Sequence, residues 1–455
     1  MKDFTEGRIT RQLITFSFPI ILGNFLQSLY LVIDAVWVGK LLGYESLAAI
    51  SAVFPVLFFL ISLLIGMSVA TNILVGQSYG AKNKNILIKV LQNSFFTVVF
   101  LSLGLSIIGV LSGKSILNLI NTPESIMPDA HRYLTIIILG FLFRALYNWF
   151  GGTLRGLGDS KTPLIILVIS IVLNIILTPL LIIGIGPFPR LGIAGSALGT
   201  VLAFFFSISV GYFILIKRNS LFDFIKKKTT LDFKLIKKIF RVGIPVTFSM
   251  VIRSVSWMAI IALVNKFGPS LTAAYGIGVR IDMFAFMPAL SISIAVSSMS
   301  AQNIGAKKFE RVAKTLKCAV KLSLGISFLI FVLVNLFPGA IASIFTRDSS
   351  VLSNTVGYLR IISFAYLLFS FIFSLQGVIR GAGHTGYLMF FSVISMLMVR
   401  IPAAYFLAEH TTLERFGIWT AILLSAFVAM MLNFLYYRSG LWHKKAPLVY
   451  TDKYT

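Results

Sequence analysis

Charge is scarce in this 455-residue chain. Asp, Glu, Lys and Arg together make up 12%, about half of what an ordinary soluble domain carries. Hydrophobic residues reach 57% and the mean hydropathy is +0.92. Such a composition cannot dress a water-facing surface, so the soluble-enzyme classes are excluded and the chain reads as a polytopic membrane protein. Cysteine is nearly absent: Cys318 stands alone, which excludes an internal disulfide and any cysteine-based metal site. The four histidines, His131, His384, His410 and His443, fall in hydrophilic connections, too scattered for a metal cluster, and read as solvated loop residues. The start, MKDFTEGRITRQ, lacks the short apolar core and cleavage site of a secretory signal, so the first apolar run is expected to persist as a helix.

What is abundant is apolar sequence, in about twelve runs near 14–38, 48–75, 92–111, 133–153, 163–186, 193–216, 240–265, 272–300, 318–337, 357–379, 387–408 and 416–437. The formal charge of +25 invites a nucleic-acid reading, but its placement points elsewhere. Lysine and arginine gather in the terminal segments and in every second connection: Lys82, Lys84 and Lys89; Lys226, Lys227, Lys228, Lys234, Lys237, Lys238 and Arg241; Lys307, Lys308, Arg311, Lys314 and Lys317. The alternate connections hold one or two each, such as Lys40, Arg190 and Arg415. By the positive-inside rule both termini are cytoplasmic and the chain is multi-pass in the cytoplasmic membrane. The basic balance is thus a topology signal with an attraction to anionic membrane lipids, and no nucleic-acid partner is expected.

The chain repeats itself at a spacing of 225 residues. GQSYGAKNK at 76–84 answers AQNIGAKKF at 301–309, and GGTLRGLGD at 151–159 answers QGVIRGAGH at 376–384. Ala48–Ala49 fall on Ala273–Ala274, and Tyr133–Leu134 on Tyr358–Leu359; Pro19 meets Pro245 with a slip of one. Matched polar loops in constant register mark a duplication. Six spans per half give both halves the same orientation, related by an axis along the membrane normal, with a substrate path between them. The predicted fold is therefore all-α: twelve transmembrane helices in two parallel-repeat six-helix bundles. The lobes are 1–216 and 240–437, joined by a cytoplasmic linker, 217–239, and followed by a cytoplasmic tail, 438–455.

The stretch Leu22–Gly39 holds one carboxylate, Asp34. An ionisable side chain at membrane depth costs about 3 kcal/mol even on translocon-based scales, so Asp34 is a functional-site candidate. Its counterpart at +225 is Ala259: the scaffold was duplicated, the acid was not. The Gly-Ala-Lys and Arg-Gly-x-Gly loops read as structural devices, their glycines permitting positive φ. Gly156-Leu157-Gly158 follows no strand and is no dinucleotide fingerprint. Gly113-Lys114-Ser115 has Ile108 where a phosphate loop needs glycine, so ATP hydrolysis is not expected and the chain is no enzyme.

FSFPI at 16–20, Asp34 in the first span, LRGLGDSKTPL at 154–164 and GIAGSALGT at 192–200, set on two six-span halves, resemble the multidrug and toxic compound extrusion (MATE) family over nearly the whole chain. The resemblance implies a twelve-helix antiporter that alternates between outward-open and inward-open V shapes and exports drugs or metabolites against Na⁺ or H⁺ influx. The family's amino-terminal cation site falls on Asp34, Asn174, Thr178 and Thr200. The family usually has an aspartate four residues after the asparagine; here Thr178 stands there, on the same helix face as Asn174. The acids some members carry in the seventh and tenth spans have no match, since 240–265 and 357–379 contain neither Asp nor Glu.

Withdrawal from water disfavours the charged form of a carboxylate, and neutral Asn174 and Thr178 offer no offsetting cation. The sequence therefore predicts proton uptake at Asp34 in the outward-facing state, with Na⁺ as the second choice of coupling ion and no cofactor. Pro19 denies the first span a backbone bond and is the predicted hinge. Arg253, Arg280, Asp282 and Arg400, with Met283, Phe286 and Met287, are candidate cavity residues, Arg280 and Asp282 as a candidate pair. Arg144 lies in the fourth span. Intramembrane arginines outnumber acids, which favours amphipathic or partly anionic cargo. The expected function is secondary-active export of a small-molecule drug or metabolite, with one chain sufficing; the alternative is a lipid-linked saccharide flippase of the same superfamily.

Overall fold

The computed structural model describes residues 2–218 and 231–444, so most of the predicted 217–239 linker and of the 438–455 tail lies outside the described residues. The described chain is helical. The first half contributes α1 (Ile9–Leu42), α2 (Tyr44–Gly80), α3 (Lys84–Leu119), α4 (Met127–Leu139), α5 (Phe141–Gly156), α6 (Lys161–Ile183) and α7 (Ile193–Arg218). The second contributes α8 (Phe233–Asn265), α9 (Pro269–Gly305), α10 (Phe309–Leu336), the short α11 (Pro338–Ser343), α12 (Ser349–Gly381), α13 (Thr385–Ser392), a π-helical segment (Val393–Arg400), α14 (Ile401–Glu409), α15 (Arg415–Arg438) and the terminal turn α16 (Leu441–Lys444). Among the described residues eleven helices are long and apolar enough to cross a membrane, and the bent pair α4–α5 makes a twelfth span.

The duplication is written into the geometry. The bounds of α2 and α9 differ by 225 residues at both ends, as do the starts of α3 and α10 and the ends of α5 and α12. The fourth and second spans of each half meet at matched glycines. A Cβ on Gly152 would lie 2.4 Å from the Ser68 carbonyl oxygen, and one on Gly377 would lie 2.8 Å from that of Ser293. One turn on, Gly156 and Gly381 press against the carbonyls of Asn72 and Ser297. Ser68 donates to the Asn148 carbonyl and Ser293 to the Phe373 carbonyl, each at 2.6 Å. Only glycine permits backbones this close.

One loop expectation is corrected. In the Gly-Ala-Lys loops the positive φ falls on Lys82 (55°) and Lys307 (58°), while Gly80 and Gly305 close their helices. The lysine sits one residue past the cap, where the chain turns left-handed after a helix end. In the Arg-Gly-x-Gly loops Gly158 and Gly383 do take positive φ, 80° and 83°.

The halves differ at two places. The first-half fourth span bends by 50° between α4 and α5 at Gly140, where an added Cβ would lie 2.3 Å from Val201 of α7. The counterpart, Ala365, lies inside the continuous α12. Conversely, the eleventh span opens into the π-helical segment Val393–Arg400, just ahead of Pro402, whereas its counterpart in α6 is regular α-helix. A proline removes one N–H and crowds the carbonyl four residues back, and a widened turn accommodates both.

The residues cluster into two compact units. One is Phe18–Ile244 with Lys2, the other Asp3–Ser17 with Pro245 onward. The chain changes unit inside α1 one residue before Pro19, and inside α8 at Pro245. The first unit's core gathers Ala49, Val53, Leu117, Leu134, Ile138 and Ile193, with Trp149 donating to Ser94 Oγ at 2.9 Å. The second packs Tyr275, Tyr358, Tyr366 and Trp419 among aliphatic residues.

The amino-terminal strap is bound firmly into the second unit. Phe4 is fully buried and edge-on to Phe16 at 4.8 Å. Its N–H donates to Gln302 Oε1 at 2.9 Å, and its carbonyl accepts from Arg311 Nε at 2.7 Å and Asn303 Nδ2 at 3.2 Å. Arg311 Nη2 donates further to the carbonyls of Glu6 and Gly7, both at 2.8 Å.

Candidate functional site: a polar centre in the first unit

Asp34 lies on α1, one helical turn after Tyr30. Its carboxylate is half-buried, and Oδ1 is buried without a hydrogen-bond partner among the described residues. Across from α1, Asn174 and Thr178 stand one turn apart on α6, both fully buried. The helices α6 and α7 approach closely because position 199 is glycine; a Cβ there would sit 2.9 Å from Thr178 Oγ1. That approach lets Asn174 Nδ2 donate to Thr200 Oγ1 at 3.1 Å, while the Tyr30 hydroxyl lies 3.4 Å from the same oxygen. Tyr30, Thr200 and Asn174 thus form one chain from α1 through α7 to α6.

Asn174, Thr200 and the turn of α1 that carries Asp34 are therefore brought together. No hydrogen bond joins Asp34 directly to Asn174, Thr178 or Thr200 among the described residues, and Asn174 Oδ1 and Thr178 Oγ1 are likewise buried and unpartnered. Buried polar atoms in folded proteins are nearly always satisfied; Thr122, Thr153 and Ser196 of this unit also hold buried, unpartnered oxygens, and what sets the Asp34, Asn174 and Thr178 oxygens apart is their place on α1 and on adjacent turns of α6, beside the Tyr30–Thr200–Asn174 chain. Oxygen donors suit a proton or a hard cation. Sequence reasoning missed Tyr30 and Tyr133, and noted Arg144 only as an intramembrane charge of the fourth span. Tyr133 is within electrostatic reach of Asp34, and Arg144 within reach of Tyr30 while its guanidinium lies 4.7 Å over the Phe204 ring. Tyr30 was findable as the residue four before Asp34; the others depend on how α4 and α5 turn inward.

The second-unit candidates do not form one cavity, and the Arg280–Asp282 pair does not exist. Arg280 is exposed, whereas Asp282 is buried. Asp282 Oδ2 accepts from the Tyr358 hydroxyl at 2.5 Å and Oδ1 from that of Tyr366 at 2.7 Å. Residues two apart on a helix point about 200° apart, so the pair was excluded by helix geometry. Phe286 is packed edge-on against Tyr366 and Phe369, at 5.2 and 4.7 Å, and is core. Met283 is 56% exposed, on another face, and Met287 is half-buried. Arg253 is exposed on α8, and Arg400 Nε donates to Ser425 Oγ at 2.9 Å. Pro19 is buried within an uninterrupted α1.

Comparison with known proteins accords with this architecture. The family model described as MatE matches twice, over residues 19–180 and 245–406, once per half. The "Probable multidrug resistance protein YoeA" of Bacillus subtilis (strain 168) is 34% identical over 444 residues, 97% of this chain and 96% of that one. A protein of Shewanella oneidensis named "FAD transporter" is 28% identical over 374 residues, covering 80% of this chain and 81% of its own. Among solved structures, "Crystal structure of MATE in the bent conformation" superposes with a TM-score of 0.89 at 24% identity, covering 96% of both chains, a likeness of fold. Two copies of the family domain and a full-length relative above 30% identity decide the matter: the chain belongs to the MatE family of multidrug and toxic compound extrusion transporters, multi-pass membrane proteins that are not enzymes.

Proposed function

We propose that this chain exports drugs or amphipathic metabolites across the cytoplasmic membrane, with both termini cytoplasmic, in exchange for an ion taken up at Asp34. The observation that carries the proposal is the set of buried, unpartnered oxygens Asp34 Oδ1, Asn174 Oδ1 and Thr178 Oγ1. Their counterparts in the second half are Ala259, Val399 and Ala403. A polar set present in only one of two duplicated bundles is not a requirement of the scaffold. A proton is the first choice of ion, because a single carboxylate oxygen suffices to hold it, whereas a metal cation draws on several oxygen ligands at once and the set holds one acid. Na⁺, the second choice, would draw on the same oxygens with Thr200.

Protonation converts an acceptor-only carboxylate into a donor, which changes what α1 presents to α6 and α7 and gives the ion a means of biasing one arrangement over another. Pro19 is the proposed bend in α1 through which that change is transmitted. One chain suffices for the cycle. The cargo is taken first from the multidrug names of the relatives. The relative named for FAD adds a second class, a phosphate-bearing solute.

The test is substrate efflux from proteoliposomes under separately imposed H⁺ and Na⁺ gradients. Wild type is expected to respond to the H⁺ gradient. Asp34→Asn is expected to abolish gradient-driven efflux while keeping wild-type yield and elution profile. Full-rate efflux by Asp34→Asn would refute the assignment.

A further inference from the structure

The first unit holds a half-buried guanidinium whose hydrogen-bonding capacity goes unused among the described residues. Arg144 lies in the first turn of α5, near the middle of the fourth span. Its Cζ stands 4.7 Å from the centroid of the Phe204 ring on α7. Its Nε is buried without a hydrogen-bond partner, and no carboxylate pairs with it, among the described residues. Asn148, one turn on, donates to the Arg144 backbone carbonyl at 2.9 Å rather than meeting the side chain. The position follows from the bend at Gly140. The fourth and sixth spans run in the same direction, and glycine at 140 brings the chain against Val201 of α7. One turn further along both helices, Arg144 meets Phe204.

Tyr147, one turn after Arg144 on the same face of α5, packs its ring against the same Phe204, with centroids 5.3 Å apart. Guanidinium, phenol and phenyl rings are thus joined by contact. The second half supplies the control. Arg144, Tyr147, Asn148 and Phe204 fall on Phe369, Ile372, Phe373 and Ala429, and all four of these belong to one apolar cluster. Hydrocarbon satisfies the duplicated scaffold at these positions, so the cation is not a packing requirement. An ionisable group at membrane depth is costly and marks a site. The Phe204 ring occupies the face of the guanidinium. The N–H groups point outward in its plane, where an oxyanion accepts two at once. With Nε enclosed and the residue only half-buried, the Nη pair is the part a ligand reaches. One guanidinium matches one negative charge, and a planar carboxylate matches its fork. The two rings beside it suit a flat apolar body.

We propose that Arg144 is an anion-recognising residue of the first unit, taking the carboxylate of a singly charged aromatic cargo whose body lies against Phe204 and Tyr147. This names a cargo class for the exporter reading above and rests on that reading for its role in transport. Binding at Arg144 does not depend on coupling at Asp34.

The binding arm uses the purified full-length chain in neutral detergent, at neutral pH and constant ionic strength, with thermal unfolding as readout. The probes are naphthoate, naphthylmethanol and naphthylmethylammonium, one ring body with an anionic, neutral or cationic head. Naphthoate should raise the midpoint at lower concentration than either analogue, in wild type and in Arg190→Gln, a change at an exposed arginine of the same unit. Arg144→Gln should weaken naphthoate by at least about tenfold, through loss of a charge-assisted pair, and leave it no better than the alcohol. Arg144→Lys, which keeps the charge without the fork, should fall between. No preference for naphthoate in wild type, a preference that survives Arg144→Gln, or one lost equally in Arg190→Gln would overturn the site. If Arg144→Gln does not fold, Arg144→Lys and Phe204→Leu carry the test, and full preference in both overturns it. Competition by a short-chain phosphatidylglycerol more potent than naphthoate itself would give the fork to a lipid headgroup and overturn the cargo assignment; weaker competition or none supports it.

The transport arm compares an aromatic dye bearing one carboxylate with a cationic aromatic dye in proteoliposomes. Arg144→Gln should lower the ratio of anionic to cationic efflux by at least about tenfold, the same lost pair, while Asp34→Asn should lose gradient-driven movement of both. If wild type moves neither dye yet naphthoate binding follows Arg144, the exporter reading fails and the site stands. If wild type moves only the cationic dye, or if the ratio is unchanged in Arg144→Gln, the site has no part in selecting cargo and the proposal fails.

Discussion

Gly152→Ala should cost this protein more stability than the same change at its repeat partner, Gly377, and both should cost more than Gly104→Ala. At Gly152 the new methyl would sit 2.4 Å from the Ser68 carbonyl oxygen and 2.7 Å from Ser68 Oγ. At Gly377 the Ser293 carbonyl oxygen and the Cβ and Cγ1 of Val296 all lie at 2.8 Å, and at Gly104 nothing lies within 4 Å. Ordinary contact begins near 3.4 Å, so α5 must withdraw from α2 by the larger step. Overpacking of this kind costs about 1–3 kcal/mol, with Gly152 at the top of that range. Withdrawal also stretches the Ser68–Asn148 bond, now 2.6 Å, worth about 1 kcal/mol. Against this, alanine gains about 1 kcal/mol over glycine inside a helix. The net expectation is destabilisation by about 2–3 kcal/mol at Gly152, about 1 kcal/mol at Gly377, and slight stabilisation at Gly104. The assay is the thermal unfolding midpoint of each purified variant in one detergent. A Gly152→Ala protein as stable as Gly104→Ala would refute the claim that glycine is there for helix approach.

Gly140→Ala should destabilise through its clash with Val201, and Val201→Ala should recover part of the loss; a double variant no better than Gly140→Ala alone, by the same midpoint measurement, would sink the steric reading. Arg311→Ala removes the donor to the Phe4, Glu6 and Gly7 carbonyls; limited proteolysis should then cleave within residues 3–17 at least several-fold faster than in wild type. Tyr366→Phe and Tyr358→Phe should each cost about 1–3 kcal/mol, since each strips a donor from a buried carboxylate, and adding Asp282→Asn should recover part of it; no recovery would mean the charge at Asp282 is not what the hydroxyls serve.

Much of this protein was legible in the chain. Apolar runs fixed the spans because a bilayer leaves the backbone no alternative to helix. The matched loops at 76–84 and 301–309 announced the duplication because a repeat keeps its spacing wherever its helices keep their packing. Asp34 stood out because a lone acid in an apolar run is expensive whatever surrounds it. Partner choice was not legible. The sequence offered Arg280 to Asp282, but the helix turned them apart and two tyrosines from α12, 76 and 84 residues away, took the carboxylate. The positive φ on Lys82, the bend at Gly140 and the widened turn before Arg400 arise from helix ends, from the approach of α7 and from Pro402. The attachment of residues 3–17 to the Pro245-onward unit rests on bonds spanning some 300 residues. Period and composition determine which segments become helices; the rotation and approach of one helix against another decide which side chains meet, and no local pattern encodes that.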